Sequence, residues 1–231
     1  MMKVTFLDHS GFLVELPSVT LLFDWWKGAL PPIRPQVPLL VFVSHWHDDH
    51  FSPAIFSLNA AAYLLGDMDR RWLARKGASP AVLEQCVSLS GNQTHRFSDN
   101  ITIETLPSTD EGVAFLVTAD GQTVFHAGDL NWWHWEGEPD PWNPDMERKF
   151  KAYSQPLAGR NIDIALVPLD PRQKEDGFRA AKYLLELAQI RRLIPMHQWG
   201  DFAFTDAFLA RYPEYTAKLL PVLRTGQGFE F

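Results

Sequence analysis

The stretch from Leu39 to His50 constrains the fold of this chain more than any other. It begins with the apolar run Leu39–Val43, which predicts a strand buried on both faces of a layered α/β protein. Three imidazoles and two carboxylates follow within six positions, namely His45, His47, Asp48, Asp49 and His50. A core rejects this much unpaired polarity, whereas imidazole nitrogens and carboxylate oxygens suit zinc, iron or manganese. The stretch therefore predicts a metal site at the end of a buried strand.

The spacing of these side chains indicates how they divide between ions. In an extended segment alternate residues share a face, so we expect His45 and His47 to converge on one ion. Asp49 and His50 follow a turn and are expected to address a second ion. A fortuitous polar loop, or a set of capping residues, is the alternative interpretation of the same pattern.

The pattern His45-x-His47-x-Asp49-His50 resembles the signature of the metallo-β-lactamase fold superfamily of metal-dependent hydrolases. The resemblance spans the chain and is closest to small members of the ascorbate-6-phosphate lactonase and N-acyl-phosphatidylethanolamine phospholipase D branch. It implies a four-layer αββα sandwich with the site at strand ends along one edge. Strand-like and helical segments alternate after the motif, which is typical of a layered α/β protein.

Composition limits the class of protein further. With 231 residues, 46% hydrophobic and 21% charged, the chain is most simply one globular domain over residues 1–231. The net charge of -7 and the lack of a nucleic-acid clamp domain argue against a nuclease. Cys86 is the only cysteine, and no apolar run approaches the ~20 residues that cross a bilayer. We therefore expect a cytoplasmic protein that acts on a small molecule.

Two later strand ends carry further ligands that the resemblance implies. The predicted strand Thr123–His126 leads to Gly128-Asp129, and Asp129 is expected to bridge both ions through its two oxygens. His197 follows a predicted strand and matches the last ligand of the family. Asp24, at an early strand end, is expected to support a ligand imidazole. His9 is interpreted either as a neighbour of the site or as a hydrogen-bonded turn residue.

One ligand of the family is missing. Members usually supply a His just before the hairpin that leads to the Gly-Asp pair, and this chain has Ser108 there. We prefer Asp110 as the replacement, an oxygen ligand that would favour manganese or iron over zinc. The alternative is a weakly occupied or empty position, with a single working ion or lost activity. His95 is a further candidate, but it is expected at the wrong end of its strand.

The resemblance implies a hydrolase with two divalent ions, zinc first, with manganese or iron as alternatives. A hydroxide held by these ions would attack a small ester, lactone or phosphodiester, and Asp49 would bind and orient it. An iron-dependent redox enzyme and a metal-binding protein without turnover are competing functions. His47 counts against the diiron redox version, in which a glutamate is expected at that position.

Three residues outside the ligand set are candidate substrate contacts. His134 lies in the aromatic segment Trp132–Trp135, and it is either a proton donor to the leaving group or an ordinary loop histidine. Asp170 and Arg172 follow another predicted buried strand. The tryptophans of this segment either wall a cleft above the metals, together with Trp25, Trp26 and Trp46, or pack against each other.

Overall fold

Two mixed β-sheets form the frame of the molecule, which a computed structural model describes over residues 1–231. The first sheet has seven strands: Lys3–Asp8 (β1), Gly11–Glu15 (β2), Thr20–Phe23 (β3), Leu39–Val43 (β4), Ala62–Gly66 (β5), Cys86–Leu89 (β6) and Gly228–Glu230 (β13). The second has six: Thr94–Ser98 (β7), Ile101–Pro107 (β8), Val113–Ala119 (β9), Gln122–His126 (β10), Asn161–Pro168 (β11) and Gln189–Met196 (β12). Their strand orders are β13-β1-β2-β3-β4-β5-β6 and β12-β11-β10-β9-β8-β7.

Each sheet combines antiparallel hairpins with a parallel half. Pairing is parallel from β3 through β4 and β5 to β6, and again from β10 through β11 to β12. Parallel neighbours place their carboxyl ends at the same edge of a sheet, where ligand sites of α/β proteins form. The predicted site residues follow these ends, except for Asp110, which lies between the antiparallel strands β8 and β9.

Helices cover the outer faces of both sheets. The α-helices are Arg70–Arg75 (α1), Pro80–Glu84 (α2), Trp142–Ser154 (α3), Arg179–Leu187 (α4) and Phe204–Arg211 (α5). Short 3-10 helices span Pro53–Ser57, Gln155–Leu157, Pro171–Phe178 and Pro213–Tyr215.

Strand β4 shows how alternate side chains serve two cores. Phe42 points between the sheets and packs edge-on against Phe115 of β9, with ring centroids 5.2 Å apart. Val41 and Val43 face the other way and share a second cluster with Leu73 of α1. The resulting order of layers confirms the predicted α/β class and αββα sandwich. Because 51 buried residues from both sheets form one cluster, we propose that residues 1–231 are a single domain.

One β-strand and one α-helix were not predicted from the sequence. β7 was missed because its alternation is polar and only partly buried, as suits an edge strand. α3 was missed because Pro141 and Pro144 obscure its start, although Met146 and Phe150 are buried at helical spacing. After the motif, Ser52 caps only a short 3-10 helix, Pro53–Ser57.

None of the helices is both long enough and apolar enough to cross a bilayer. The cytoplasmic location stays a prediction.

Cys86 carries a free thiol at the start of β6, and burial raises the pKa of this thiol to about 11. At neutral pH the thiol is therefore protonated and a weak nucleophile.

Candidate metal centre

The candidate centre lies where strands of both sheets end. His45 follows β4 by two residues, Asp129 follows β10 by three, and His197 comes directly after β12. Metal-binding side chains form three groups in which the potential ligand atoms lie within 4.8 Å of one another. These groups are His9, Asp49, His50 and His197; His45, His50 and Asp129; and His45, His47 and Asp110. All seven predicted ligands are therefore brought together.

We call the place between Asp49, His50 and His197 the inner position. The Nδ1 atom of His50 lies 2.7 Å from Oδ2 of the buried Asp24, and Nδ1 of His197 lies 3.0 Å from Oδ2 of the buried Asp170. A carboxylate behind one ring nitrogen fixes the tautomer and leaves the other nitrogen free as a ligand. Both imidazoles are thus oriented towards the centre.

Asp24 also fixes the turn from β4 into the motif. Its carboxylate accepts hydrogen bonds from the backbone N–H and the hydroxyl of Ser44, both at 2.7 Å. The chain packs tightly at this point, because a Cβ added to Gly128 would lie 2.7 Å from Cβ of Ser44. The positive φ of 53° at Gly128 also favours glycine. The supporting role predicted for Asp24 has the geometry that it needs.

We call the place between His45, His47 and Asp110 the outer position. Nε2 of His45 lies 2.9 Å from Nδ1 of His47, which lies 3.7 Å from Oδ2 of Asp110. The side chains of His47 and Asp110 are 35% and 44% exposed. Burial and the nearby Asp129 raise the pKa of Asp110 above its ordinary value. This position is thus more open to water than the inner one.

Asp110, rather than Ser108, lies beside the outer histidines. Ser108 does not join the ligand groups, and its hydroxyl accepts the backbone N–H of Asp110 at 3.2 Å. The hydroxyl of Thr109 donates to the carbonyl of Asn131 at 2.6 Å and accepts its N–H at 3.0 Å. These bonds tie the Asp110 loop to the loop that carries Asp129. His95 belongs to β7 and to none of the groups.

Asp129 lies between the two positions. Its Oδ2 is 3.8 Å from Nε2 of His45, and its Oδ1 is 3.2 Å from Nε2 of His50 and 3.5 Å from Nε2 of His197. Oδ1 of Asp129 and Nε2 of His50 are buried without a hydrogen-bond partner. Unpaired buried polar atoms are costly, and a cation would satisfy both. The donor set therefore fits divalent metal ions on each side of Asp129.

Burial and neighbouring charges set the pKa values of the buried groups. Burial lowers the pKa of His45 to about 4, so its imidazole is neutral at physiological pH. Burial also opposes the charge of His50, but Asp129 and Asp24 outweigh it and raise the pKa of His50 well above its usual range. Burial favours neutral Asp129, but His50 and His197 hold its pKa well below the ordinary value. Asp129 is therefore an ionised, buried acceptor.

A cleft of about 330 Å³ opens over the ligand groups. Besides the ligands it is lined by Thr109, Trp133, Trp135, Trp142, Met146, Arg172 and Trp199. Trp133 and Trp135 stack with ring centroids 5.9 Å apart. Trp133 and Trp135 thus line the cleft and also pack against each other, so each of the two interpretations is correct in part. The cleft is not lined by Trp25, Trp26, Trp46 or Trp132. Trp142 and Trp199 could not be predicted as lining residues, because neither adjoins the aromatic segment.

The three predicted substrate contacts lie in different surroundings. Arg172 lines the cleft, and its guanidinium carbon is 4.5 Å from the centroid of the Trp199 ring. Asp170 is fully buried behind His197 and bonded to Arg172, so it cannot face a substrate. Hydrogen bonds from His197 and Arg172 outweigh burial and lower the pKa of Asp170 to about 2. His134 does not line the cleft, and its Nε2 atom lies 3.7 Å from Oδ2 of Asp176. The structure therefore contradicts the interpretation of Asp170 as a substrate contact, and the position of His134 favours its interpretation as an ordinary loop histidine.

The sequence profile of a beta-lactamase superfamily domain matches residues 3–134, more than half of the chain. The chain belongs to the beta-lactamase superfamily. This confirms the predicted superfamily, whereas the finer resemblance to the lactonase and phospholipase branch stays a prediction.

Relatives in this superfamily cover nearly the whole chain. A UPF0173 metal-dependent hydrolase of Pyrobaculum calidifontis is 27% identical over 242 residues, covering 97% of this chain and 98% of the relative. One from Pelotomaculum thermopropionicum is 29% identical over 226 residues, covering 85% and 84%.

Solved structures share the fold. Igni18, a metallo hydrolase of Ignicoccus hospitalis, superposes with a TM-score of 0.64 at 19% identity, covering 100% of this chain and 99% of its own. An isothiocyanate hydrolase from Delia radicum gut bacteria gives a TM-score of 0.61 at 15% identity, with 100% and 99% covered. At these identities the likeness shows the beta-lactamase superfamily fold alone.

Proposed function

We propose that this chain hydrolyses a small ester, lactone or phosphodiester with the help of two divalent metal ions, zinc before manganese or iron. The coarser statement, that it is a metal-dependent hydrolase, follows from its superfamily and from the relatives that carry this description. The observation that best supports the proposal is Asp129, which directs one carboxylate oxygen to each side of the centre.

The residues that would hold the ions are His45, His47 and Asp110 at the outer position and Asp49, His50 and His197 at the inner one, with Asp129 between them. Bound divalent ions supply a water that is acidic near neutral pH and a Lewis acid for charge that develops on the substrate oxygen. Asp24 and Asp170 would hold the imidazoles of His50 and His197 in the ligand orientation.

Asp49 is the residue that we assign to proton transfer. It lines the cleft, and its side chain is 28% exposed, so it can reach both an ion and an attacking water. Burial favours the neutral form, but the imidazoles of His9 and His50 outweigh it and lower the pKa of Asp49. The carboxylate is therefore ionised at neutral pH and able to accept and orient the proton of that water.

The tryptophan wall indicates what the substrate carries beside the scissile bond. Trp133, Trp135 and Trp199 offer flat apolar surfaces, and Arg172 adds a positive charge at the same rim. Aromatic faces bind apolar and aromatic groups with large contact area and few rotatable bonds. We propose that an apolar part of the substrate lies against this wall while the scissile bond faces Asp129.

A substrate panel tests the proposal. Phosphodiester, lactone and carboxylic ester substrates, each with an aryl and a methyl version, are offered to the chain loaded with zinc, manganese or iron. We expect hydrolysis of at least one class, a preference for the aryl version, and loss of hydrolysis in His47→Ala. The matched control is His134→Ala, whose side chain lies outside the cleft and should not matter. Absence of turnover with every metal would overturn the proposal in favour of a binding protein.

A further inference from the structure

His9 is a buried histidine that the ligand set above leaves unused. It lies in the turn between β1 and β2, is 5% exposed, and has a positive φ of 52°. Its carbonyl oxygen accepts the backbone N–H of His197 at 3.1 Å. This bond ties the turn to the end of β12, so His9 is held in place by the strand that presents an inner ligand.

The ring of His9 points into the inner position. Its centroid is 4.1 Å from the ring of His197, and Trp199 packs against it with centroids 4.5 Å apart. Its Nε2 atom is buried and has no hydrogen-bond partner. One ring nitrogen of His9 lies within 4.8 Å of ligand atoms of Asp49, His50 and His197. An unpaired buried nitrogen among three candidate ligands calls for a partner.

Asp49 is the nearest candidate for that partner inside the protein. However, Nε2 of His9 lies 3.4 Å from Oδ2 of Asp49, which is long for a hydrogen bond between a ring nitrogen and a carboxylate. A cation between His9 and Asp49 would accept both atoms as ligands. An imidazole is also the donor that zinc and related metals accept most readily after thiolate.

We propose that His9 is an additional metal ligand at the inner position and binds through Nε2. The proposal rests on the metal centre of the proposed function and adds a residue outside the motif His45-x-His47-x-Asp49-His50. With His9, His50 and His197, the inner ion would have three imidazoles beside Asp49 and Asp129, whereas the outer ion has two. The inner position is then the more nitrogen-rich and the more enclosed of the two.

Cobalt(II) loading of the full chain tests this inference without reference to turnover. The variant His9→Gly suits the positive φ, because glycine adopts such a conformation without strain, and it leaves a gap the size of an imidazole. We expect the visible ligand-field absorption of the bound cobalt to shift. We also expect the inner affinity to fall by about 10-fold or more, since even residues behind a ligand contribute that much. Added imidazole should restore both the absorption and the affinity.

His95→Ala is the matched control, because His95 lies in the edge strand β7 outside every ligand group. An absorption spectrum and an affinity of His9→Gly equal to those of the unchanged chain would overturn the proposal. A weaker affinity with an unchanged spectrum and no response to imidazole would also overturn it, leaving His9 as a hydrogen-bond partner of Asp49. If the unchanged chain bound no cobalt, this inference and the proposed centre would both fail. If it bound cobalt through His9 and hydrolysed nothing, only the proposed function would fail.

Discussion

At the inner position the imidazoles of His50 and His197 are backed by the buried carboxylates Asp24 and Asp170. At the outer position His47 pairs with no carboxylate other than Asp110, and both side chains are partly exposed. The two positions use the same kinds of side chain, but only the inner imidazoles have a buried carboxylate behind them. The outer ligand His45 is also buried, and its Nδ1 atom lies 3.0 Å from the hydroxyl of Ser44.

The two positions show how one fold can bind two ions with different affinities. Ligands that are held in the binding orientation lose little freedom when the ion arrives, and they keep water away from it. Exposed ligands in a loop must be ordered on binding. We therefore expect the inner position of this chain to bind its ion more tightly than the outer position.

The largest effect is expected from removing an inner ligand. His197→Ala should lower the inner affinity by more than about 100-fold, because loss of a residue behind a ligand already costs about 10- to 100-fold. His47→Ala should remove only the outer ion. Metal content after gel filtration checks this prediction, with one ion expected in His47→Ala. If His197→Ala and His47→Ala lost equal amounts of bound metal, the inner and outer positions would not differ in affinity.

A smaller effect is expected from the carboxylates behind the ligands. Asp24→Asn and Asp170→Asn keep the shape of the side chain but remove its charge, and each should weaken the inner affinity by about 10- to 100-fold. The outer affinity should change less. Competition with a metallochromic chelator measures both affinities. Asp176→Asn is the control, because Asp176 is a carboxylate outside the cleft. Equal weakening of both positions would contradict the assignment of these residues.

The smallest effect is expected from Asp110→His, which introduces the residue that the family usually has near this place. A third nitrogen donor beside His45 and His47 should move the outer position towards zinc and away from manganese. The ratio of zinc to manganese affinity, measured by competition, should rise while the inner position stays unchanged. A ratio equal to that of the unchanged chain would mean that Asp110 does not contact the outer ion.

The sequence was most informative where ligands are close together in the chain. His45 to His50 follow one apolar strand, so the motif and its position at a sheet edge could both be predicted. Asp110 could be proposed only because the expected histidine was absent. Its approach to His47 depends on bonds from Thr109 to Asn131, which pair loops far apart in the chain.

The sequence was least informative about which way a strand-end residue faces. Asp170 and Arg172 were predicted to face the substrate together, but Asp170 turns behind His197 and only Arg172 reaches the cleft. Likewise, the sequence around His9 does not show whether this residue only stabilises its turn or also lies beside the metal centre. Its place is set by the distant end of β12. Such choices depend on long-range packing rather than on local spacing.

We propose that Asp129 separates two metal positions that bind their ions with unequal affinity. Anomalous X-ray diffraction at the metal edge, from crystals of the zinc-loaded chain, tests it most directly. We predict two anomalous peaks, one on each side of Asp129. The stronger peak should lie between Asp49, His50 and His197, and the weaker peak should lie beside Asp110. The absence of any peak next to Asp129, or a stronger peak at the outer position, would contradict the account.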